Sequence, residues 1–289
     1  MVETAQLLAG AATQSLTDEV LLSPKPGLVD PYSSGAHDDM DLDTFAASIA
    51  ALSPFFPEYV RLGAQPGGTN LVYRRVRKTG LAAESAMLRA TGGVNTHKGI
   101  NFTLGFLLAG LGRLMNRFTL EALVCQNFSS LFPLVASLCS DVGEDFRNLQ
   151  KDGPLTYGQR LYLTDGVKGV RGEVMAGCPT LRTCVLPCLC APAAHDDVFY
   201  LRLMLRLMMV LEDSNLLHRA GTAGLAWVRH RARELQKVGD GDLPQALRTM
   251  DEDMVQRHLS PGGTADFLAL GYFFEHLRAS VIGHGASLG

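Results

Sequence analysis

Of the aliphatic residues in this 289-residue chain, 45 are leucine, 30 are alanine and only 3 are isoleucine. Unbranched side chains lose little rotamer freedom in a helix, whereas β-branched ones favour strands. This bias predicts an all-α fold. Nowhere do helical segments alternate with runs of valine and isoleucine, which argues against Rossmann-like and P-loop architectures. A hydrophobic content of 47% with 19% charged residues excludes intrinsic disorder and suffices for a full core. Without a repeat, a low-complexity tract or an obvious linker, residues 1–289 are expected to form a single compact multi-helix domain.

Apolar spacing of three and four residues predicts helices near 3–22, 43–62, 69–90, 96–115 and 119–141. A second set follows near 156–165, 170–177, 180–191, 195–212, 221–237, 243–258 and 262–281. One segment dissents: Leu201, Leu203, Leu205 and Leu207 alternate with Arg202, Met204 and Arg206. Its length still favours helix. The nearly uncharged run Ile100 to Gly112 falls short of the roughly 18 apolar residues that cross a bilayer. The amino end lacks a basic region and carries Asp18 and Glu19, so neither a signal peptide nor a membrane span is expected, and the reading is cytoplasmic. Six cysteines lack paired CxxC spacing and are expected as reduced thiols, with Val185, Leu186 and Leu189 marking the Cys184–Cys190 stretch as helix core rather than a zinc site. A formal charge of -3 gives no bulk attraction to nucleic acid or an acidic membrane. Any anion site must be built locally.

Polar residues and glycines concentrate between the apolar helices. In Ser23-Pro24-Lys25-Pro26-Gly27-Leu28-Val29-Asp30, two prolines fix an extended path around one lysine before a glycine turn, which presents Lys25 rigidly. Then comes Gly35-Ala36-His37-Asp38-Asp39-Met40-Asp41. Acids this close repel unless a cation offsets them, which favours magnesium; they equally suit a solvated helix N-terminus.

The string Ala90-Thr91-Gly92-Gly93-Val94-Asn95-Thr96-His97-Lys98-Gly99 is more informative. Asn95 reads as an N-cap, placing His97 and Lys98 in a first turn, where positive charge opposes the helix dipole by roughly 0.3 to 1 kcal/mol. A bound anion resolves that conflict. The approach through Gly92 and Gly93, the free backbone N–H groups and Lys98 make a phosphate cradle, although the spacing is not that of a P-loop. Glu84 lies one to two turns upstream, within reach of the same pocket or paired on the helix surface.

Further clusters follow the same logic. Gly166 to Glu173 sets a bare-backbone turn beside Arg171 and Glu173, with Tyr157-Gly158-Gln159-Arg160 ahead of it. Glu212-Asp213-Ser214-Asn215-Leu216-Leu217-His218-Arg219 closes an apolar helix with acids, against its dipole, which points to a cation or a basic partner. Ser260-Pro261-Gly262-Gly263-Thr264-Ala265-Asp266 reads as an N-cap, a proline and two glycines that cost helix stability, consistent with close approach by a ligand or with a tight helix crossing.

SPKPGLVD (23–30), GAHDDMD (35–41), ATGGVNTHKG (90–99), GVRGE (169–173), DSNLLHR (213–219) and LSPGGTAD (259–266) together resemble the triphosphoribosyl-dephospho-coenzyme A synthases, in order and over nearly the whole chain. The chain departs from that family's pattern at Tyr157-Gly158-Gln159-Arg160, where the family commonly reads HGER, and at Arg219-Ala220-Gly221, where an arginine is commonly followed by two glycines. The resemblance implies an all-helical transferase. It implies ATP and 3'-dephospho-coenzyme A as substrates, release of adenine, and 2'-(5''-triphosphoribosyl)-3'-dephospho-coenzyme A as product. That compound is the precursor of the prosthetic group of the acyl carrier subunits of citrate lyase and malonate decarboxylase, to which a further transferase delivers it.

Such chemistry needs an electron-poor anomeric carbon, a nucleophilic hydroxyl and a retained triphosphate. Lys25, His37, Gly92, Gly93, Asn95, His97, Lys98, Arg160, Arg171, Asn215, Arg219, Ser260, Gly262 and Gly263 are the expected substrate and phosphate contacts. Asp39, Asp41 and Asp213 are the expected magnesium ligands, and Glu84 or Glu173 the expected base. Two other classes remain open at this level. His37-Asp38 with His195-Asp196 fits a helical metal-dependent phosphohydrolase, and the same residues fit a noncatalytic nucleotide or coenzyme A binder. The transferase reading predicts that the clusters meet at one cleft.

Overall fold

The computed structural model describes residues 2–146, 149, 155, 157–190 and 195–285. Its α-helices are α1 (Val2–Leu21), α2 (Leu42–Leu52), α3 (Phe56–Ala64), α4 (Thr69–Ala90), α5 (Lys98–Leu114), α6 (Leu120–Cys125) and α7 (Leu131–Leu138), followed by α8 (Tyr157–Asp165), α9 (Gly169–Met175), α10 (Leu186–Leu189), α11 (Asp197–Val210), α12 (Ser214–Leu235), α13 (Leu243–Gln256) and α14 (Gly262–Gly285). Among the described residues there is no strand, only an isolated bridge between Asp30 and Ser33. The all-α expectation holds.

α5 is the axis of the fold. Its run from Ile100 to Gly112 is buried almost all round, with Leu104, Leu107, Leu108 and Leu111 fully enclosed, so the stretch too short for a membrane is the central core helix. Each such leucine contributes roughly 1.5 to 3 kcal/mol of transfer free energy. Backbones touch where α3 crosses it: a Cβ on Gly63 would lie 1.8 Å from the Ala109 carbonyl oxygen, and one on Gly112 2.1 Å from that of Val60. On the other side α1 lays Ala5, Leu8, Ala12 and Leu16 along α14, and small side chains permit that close packing. One continuous apolar cluster runs from α1 to α14.

Three expected helices have different limits. The span 43–62 breaks into α2 and α3 around a 3-10 turn at Ser53–Phe55, because Pro54 and Pro57 remove backbone donors. The span 119–141 becomes α6 and α7, separated where Asn127 and Phe128 take positive φ. The acids at 212–213 do not close a helix: α11 stops at Val210 and Asp213 opens α12, which continues across a kink at Gly221. The period-two leucine segment is helix α11, apolar on most sides because it packs against both α12 and α14.

Candidate functional site

Asp30 organises the loop after α1. Its carboxylate accepts from the Ser23 hydroxyl (2.7 Å) and from the backbone N–H groups of Lys25, Tyr32 and Ser33. From α13, Asp251 takes the Gly27 N–H at 2.7 Å, and Gly27 (φ +72°) has no room for a side chain against the Leu259 carbonyl. Lys25, presented rigidly as expected, points inward. It is 1% exposed, and its Nζ donates to both the carboxylate and the carbonyl of Glu19, each at 2.5 Å. Burial raises the Glu19 carboxyl above its ordinary value, and Lys25 opposes that shift. Lys25 thus neutralises an internal acid rather than standing open to a phosphate.

From the next loop, His37 meets Arg219 and Ser260. Arg219, on α12, donates Nη1 to the Ala36 carbonyl (2.9 Å) and faces His37 Nδ1 with Nη2 at 3.0 Å. A guanidinium only donates, so Nδ1 is the acceptor and the imidazole proton sits on Nε2, directed at Ser260 Oγ (2.8 Å). Burial and the Arg219 charge both lower the His37 pKa and hold it neutral. Ser260 Oγ accepts from His37, which leaves its own hydroxyl proton available to a ligand.

At the start of α5 the Asn95 side chain accepts the Lys98 N–H at 3.3 Å, although His97 occupies the boundary position. Thr96 donates to Ser48 Oγ (2.7 Å), and Ser48 faces His97 Nδ1 at 2.6 Å. Among the described residues no other acceptor faces the Ser48 hydroxyl proton, so it goes to Nδ1 and the His97 proton is assigned to Nε2. That buried Nε2 has no hydrogen-bond partner. Burial, with Lys25 nearby, lowers the His97 pKa to about 3, so it acts as a neutral donor rather than as the cation expected. Lys98 and Glu84, expected in separate roles, form an ion pair with each other. Gly92 and Gly93 both take positive φ with open space around them, and the Gly93 N–H returns to the Leu88 carbonyl. They terminate α4, so their glycines answer to backbone conformation rather than to close approach.

Asp213 caps two helices at once. Oδ1 accepts from the N–H groups of Asn215 and Leu216 in α12, and Oδ2 from that of Thr264 in α14 (2.8 Å) and from its hydroxyl. A Cβ on Gly262 would meet Asn215 Nδ2 at 2.2 Å, and one on Gly263 would lie 3.1 Å from the Asp213 carboxylate. The paired glycines thus admit neighbouring side chains to the head of α14, and Ser260 serves His37 instead of capping that helix.

These pieces enclose a cavity of about 180 Å³. Its wall takes Glu19 from α1, His37, Asn95 and His97, then Asn215 and Arg219 from α12 and Ser260, Gly262 and Asp266 at the head of α14. The N-termini of α5, α12 and α14 all converge there and direct partial positive charge at it. Five of the six sequence clusters meet as expected. The sixth lies alongside: a Cβ on Gly169 would stand 3.5 Å from Ser214 Oγ, and Arg171 lies over the Phe102 ring at 5.8 Å, as Arg77 does at 5.6 Å. Phe102 is one turn beyond Lys98, so these cations crowd one face of α5. Arg160 is exposed on α8, off the cavity wall. Neither expected base lines the cavity. Glu84 is tied to Lys98, and Glu173 accepts the Thr180 N–H (3.1 Å) and hydroxyl (2.7 Å).

The carboxyl groups that do line it are Glu19 and Asp266. Glu19 was legible as an acid inside the apolar i, i+3, i+4 stripe of α1. Asp266 lay in view within LSPGGTAD, with nothing local to mark it.

The expected magnesium ligands do not gather. Asp39 is 64% exposed beside His37 (3.8 Å), Asp41 caps α2 through Thr44, and the Asp213 oxygens are filled by protein donors. Among the described residues no three His, Cys, Asp or Glu side chains form a metal-binding group. The hydrolase alternative loses its second pair as well: His195 faces Glu275 at 2.9 Å, while Asp196 caps α11. The cysteines are free, with Cys139, Cys178 and Cys184 in the core.

An all-helical scaffold that turns three helix N-termini, a neutral histidine pair and an arginine on one small cavity defines a class of helical proteins whose site suits part of an anionic ligand. The chain belongs to the ATP:dephospho-CoA triphosphoribosyl transferase family (CitG), whose family model matches residues 5–282. It is 40% identical over 288 residues to a probable 2-(5''-triphosphoribosyl)-3'-dephosphocoenzyme-A synthase of Streptococcus equi subsp. zooepidemicus strain MGCS10565, covering 92% of this chain and 95% of the relative. A protein of the same description from Streptococcus pyogenes serotype M49 strain NZ131 is 39% identical over 279 residues, with the same coverage. No solved structure gives a significant match.

Proposed function

We propose that this protein transfers the 5''-triphosphoribosyl group of ATP to the ribose 2'-hydroxyl of 3'-dephospho-coenzyme A, releasing adenine. The family match over residues 5–282 carries this reading, and the meeting of the family-like strings at one cavity supports it. In the reaction the C1''–N9 bond breaks, C1'' is electron-poor at the transition state, and the triphosphate stays attached throughout. Arg219 at the mouth and Lys98 with Arg77 and Arg171 on the α5 face are the handles for it. Each supplies charge-assisted hydrogen bonds, and the guanidinium groups supply them in pairs. Glu84 positions Lys98. Neutral His37 keeps the Ser260 hydroxyl turned to the ligand. Magnesium would enter with ATP and offset its phosphate charge, since Asp41 caps α2 and the Asp213 oxygens are filled by protein donors.

Incubation with ATP, magnesium and dephospho-coenzyme A is expected to yield one adenine per product, with the product heavier by a triphosphoribosyl group. Mature coenzyme A is expected to be a poor acceptor, its 3'-phosphate crowding the adjacent hydroxyl. Mass spectra containing only ADP and phosphate would overturn the reading in favour of hydrolysis. Downstream, a second transferase is proposed to carry the product to an acyl carrier subunit of citrate lyase or malonate decarboxylase. No described helix is long and apolar enough to cross a membrane, and the proposed site of action is the cytoplasm.

A further inference from the structure

The cavity at the heads of α5 and α14 is too small for a nucleotide. Pockets that bury whole small-molecule ligands run from roughly 300 to 1,000 Å³, whereas a dry cavity of about 150 Å³ takes up benzene. At about 180 Å³ this one suits a flat heteroaromatic ring system and little more. Much of its wall is apolar, from Leu16, Leu28, Val29, Ile100 and Ala269, with the Phe45 ring at one side. Besides the Ser260 hydroxyl, two polar groups in that wall keep hydrogen-bonding capacity that the protein does not use. One is His97 Nε2–H, buried and unpartnered. A buried donor left unpaired keeps its desolvation penalty, which a ligand acceptor would recover. The other is Asp266, which no cation pairs with among the described residues. The Ile100 N–H faces it, and its Oδ2 lies so close over Gly99 that a Cβ there would stand 2.2 Å away. The other carboxyl group in the wall, Glu19, is locked to Lys25.

We infer that this cavity is the subsite for the purine of ATP, in which His97 Nε2–H donates to one ring nitrogen and Asp266 delivers a proton to another as the base departs. The inference rests on the transfer reading and assigns a residue to its leaving-group step. As the C1''–N9 bond breaks, its electron pair goes to the purine and the Asp266 proton ends on a ring nitrogen, so adenine leaves neutral. The C1''–O2' bond forms, the 2'-hydroxyl proton passes to water, and Asp266 regains a proton from water before the next turnover. Its surroundings keep that proton available. Loss of hydration, with the acids Asp213 and Glu19 nearby, raises its carboxyl well above the ordinary range against the pull of the Ile100 N–H. The purine of the acceptor, by contrast, keeps its glycosidic bond and has no use for a proton donor.

Four substitutions and two ATP analogues test this. Asp266→Asn is expected to lower kcat for adenine release about 10²-fold or more, with the dephospho-coenzyme A KM changed less than about 3-fold. Gly99→Ala retains the carboxyl but displaces it, and is expected to lower kcat in the same direction, so the outcome does not hang on one variant's folding. His97→Leu is expected to weaken binding of free adenine, measured by calorimetry, about 10-fold, and His97→Gln, which restores a donor, to recover most of it. Of 7-deaza-ATP and 3-deaza-ATP, the analogue lacking the protonated nitrogen is expected to react slowly with the wild type and no more slowly with Asp266→Asn. If both analogues react like ATP, or Asp266→Asn and Gly99→Ala turn over normally, the subsite is wrong while the transfer reading stands. A rise confined to the dephospho-coenzyme A KM would give the cavity to the acceptor's purine and equally overturn it. If adenine binds through His97 and Asp266 but the wild type transfers nothing, the subsite stands and the transfer reading falls.

Discussion

Single residues in this protein are tuned by what surrounds them, and His97 shows it most directly. Its folded pKa, near 3, lies below the ordinary value of 6.5, so between those limits the unfolded chain binds a proton that the folded one refuses. The associated stability is complete above about pH 6.5 and is lost as the pH falls, at about 1.4 kcal/mol per unit. Urea unfolding at pH 5.5, 5.0 and 4.5, where the unfolded imidazole is almost fully protonated, is expected to show a wild-type slope steeper by about that amount than that of His97→Gln, with the raised acids cancelling in the difference. A second prediction concerns Lys98 and Glu84. Because they pair with each other, Lys98→Ala and Glu84→Gln should both raise the ATP KM, and the double variant should be no worse than Lys98→Ala alone. A large independent loss of kcat in Glu84→Gln would return it to the role of base. Lys25→Met removes one partner of a buried pair and leaves Glu19 uncompensated, at an expected cost of about 3 to 5 kcal/mol by denaturant titration.

At the scale of elements, the site depends on how helices are ended and how closely they cross. Asp213→Ala strips caps from both α12 and α14, with roughly 0.5 to 2 kcal/mol lost at each helix. If Asp213 held a metal instead, the destabilisation would appear only when magnesium was present. Gly63→Ala would force the α3 backbone off α5, whose first turn carries His97 and Lys98. Overpacking of this kind costs typically about 1 to 3 kcal/mol. Both a lower melting temperature and a higher ATP KM are expected; unchanged ATP kinetics in a destabilised variant would separate the crossing from the site.

For the whole molecule the relevant quantity is ligand-linked stability. Magnesium alone should leave the melting temperature unchanged. ATP with magnesium at about 100 times its Kd should stabilise the fold by about 2.7 kcal/mol, since only the folded state assembles the cavity. A shift produced by magnesium alone would restore a protein-held metal site.

The choice of leucine and alanine over isoleucine determined the helical class, and the clustering of glycine and charge at helix ends marked the segments that meet at the site. Both are local properties of rotamer freedom and backbone conformation, and so they were visible in the chain. Direction was not visible. Lys25 reads as an open phosphate ligand until α1 brings Glu19 against it, and Asp213 reads as a metal ligand until the heads of α12 and α14 fill its oxygens. Asp266 is unremarkable in its own helix and becomes a cavity carboxyl only because α5 begins beside it. Where a charged group points, and whether its hydrogen bonds are already made, depends on residues 6 positions away for Lys25, 51 away for Asp213 Oδ2 and on a different helix for Asp266. The tertiary structure alone decides that, because the desolvation that sets each group's chemistry comes from helices far apart in sequence.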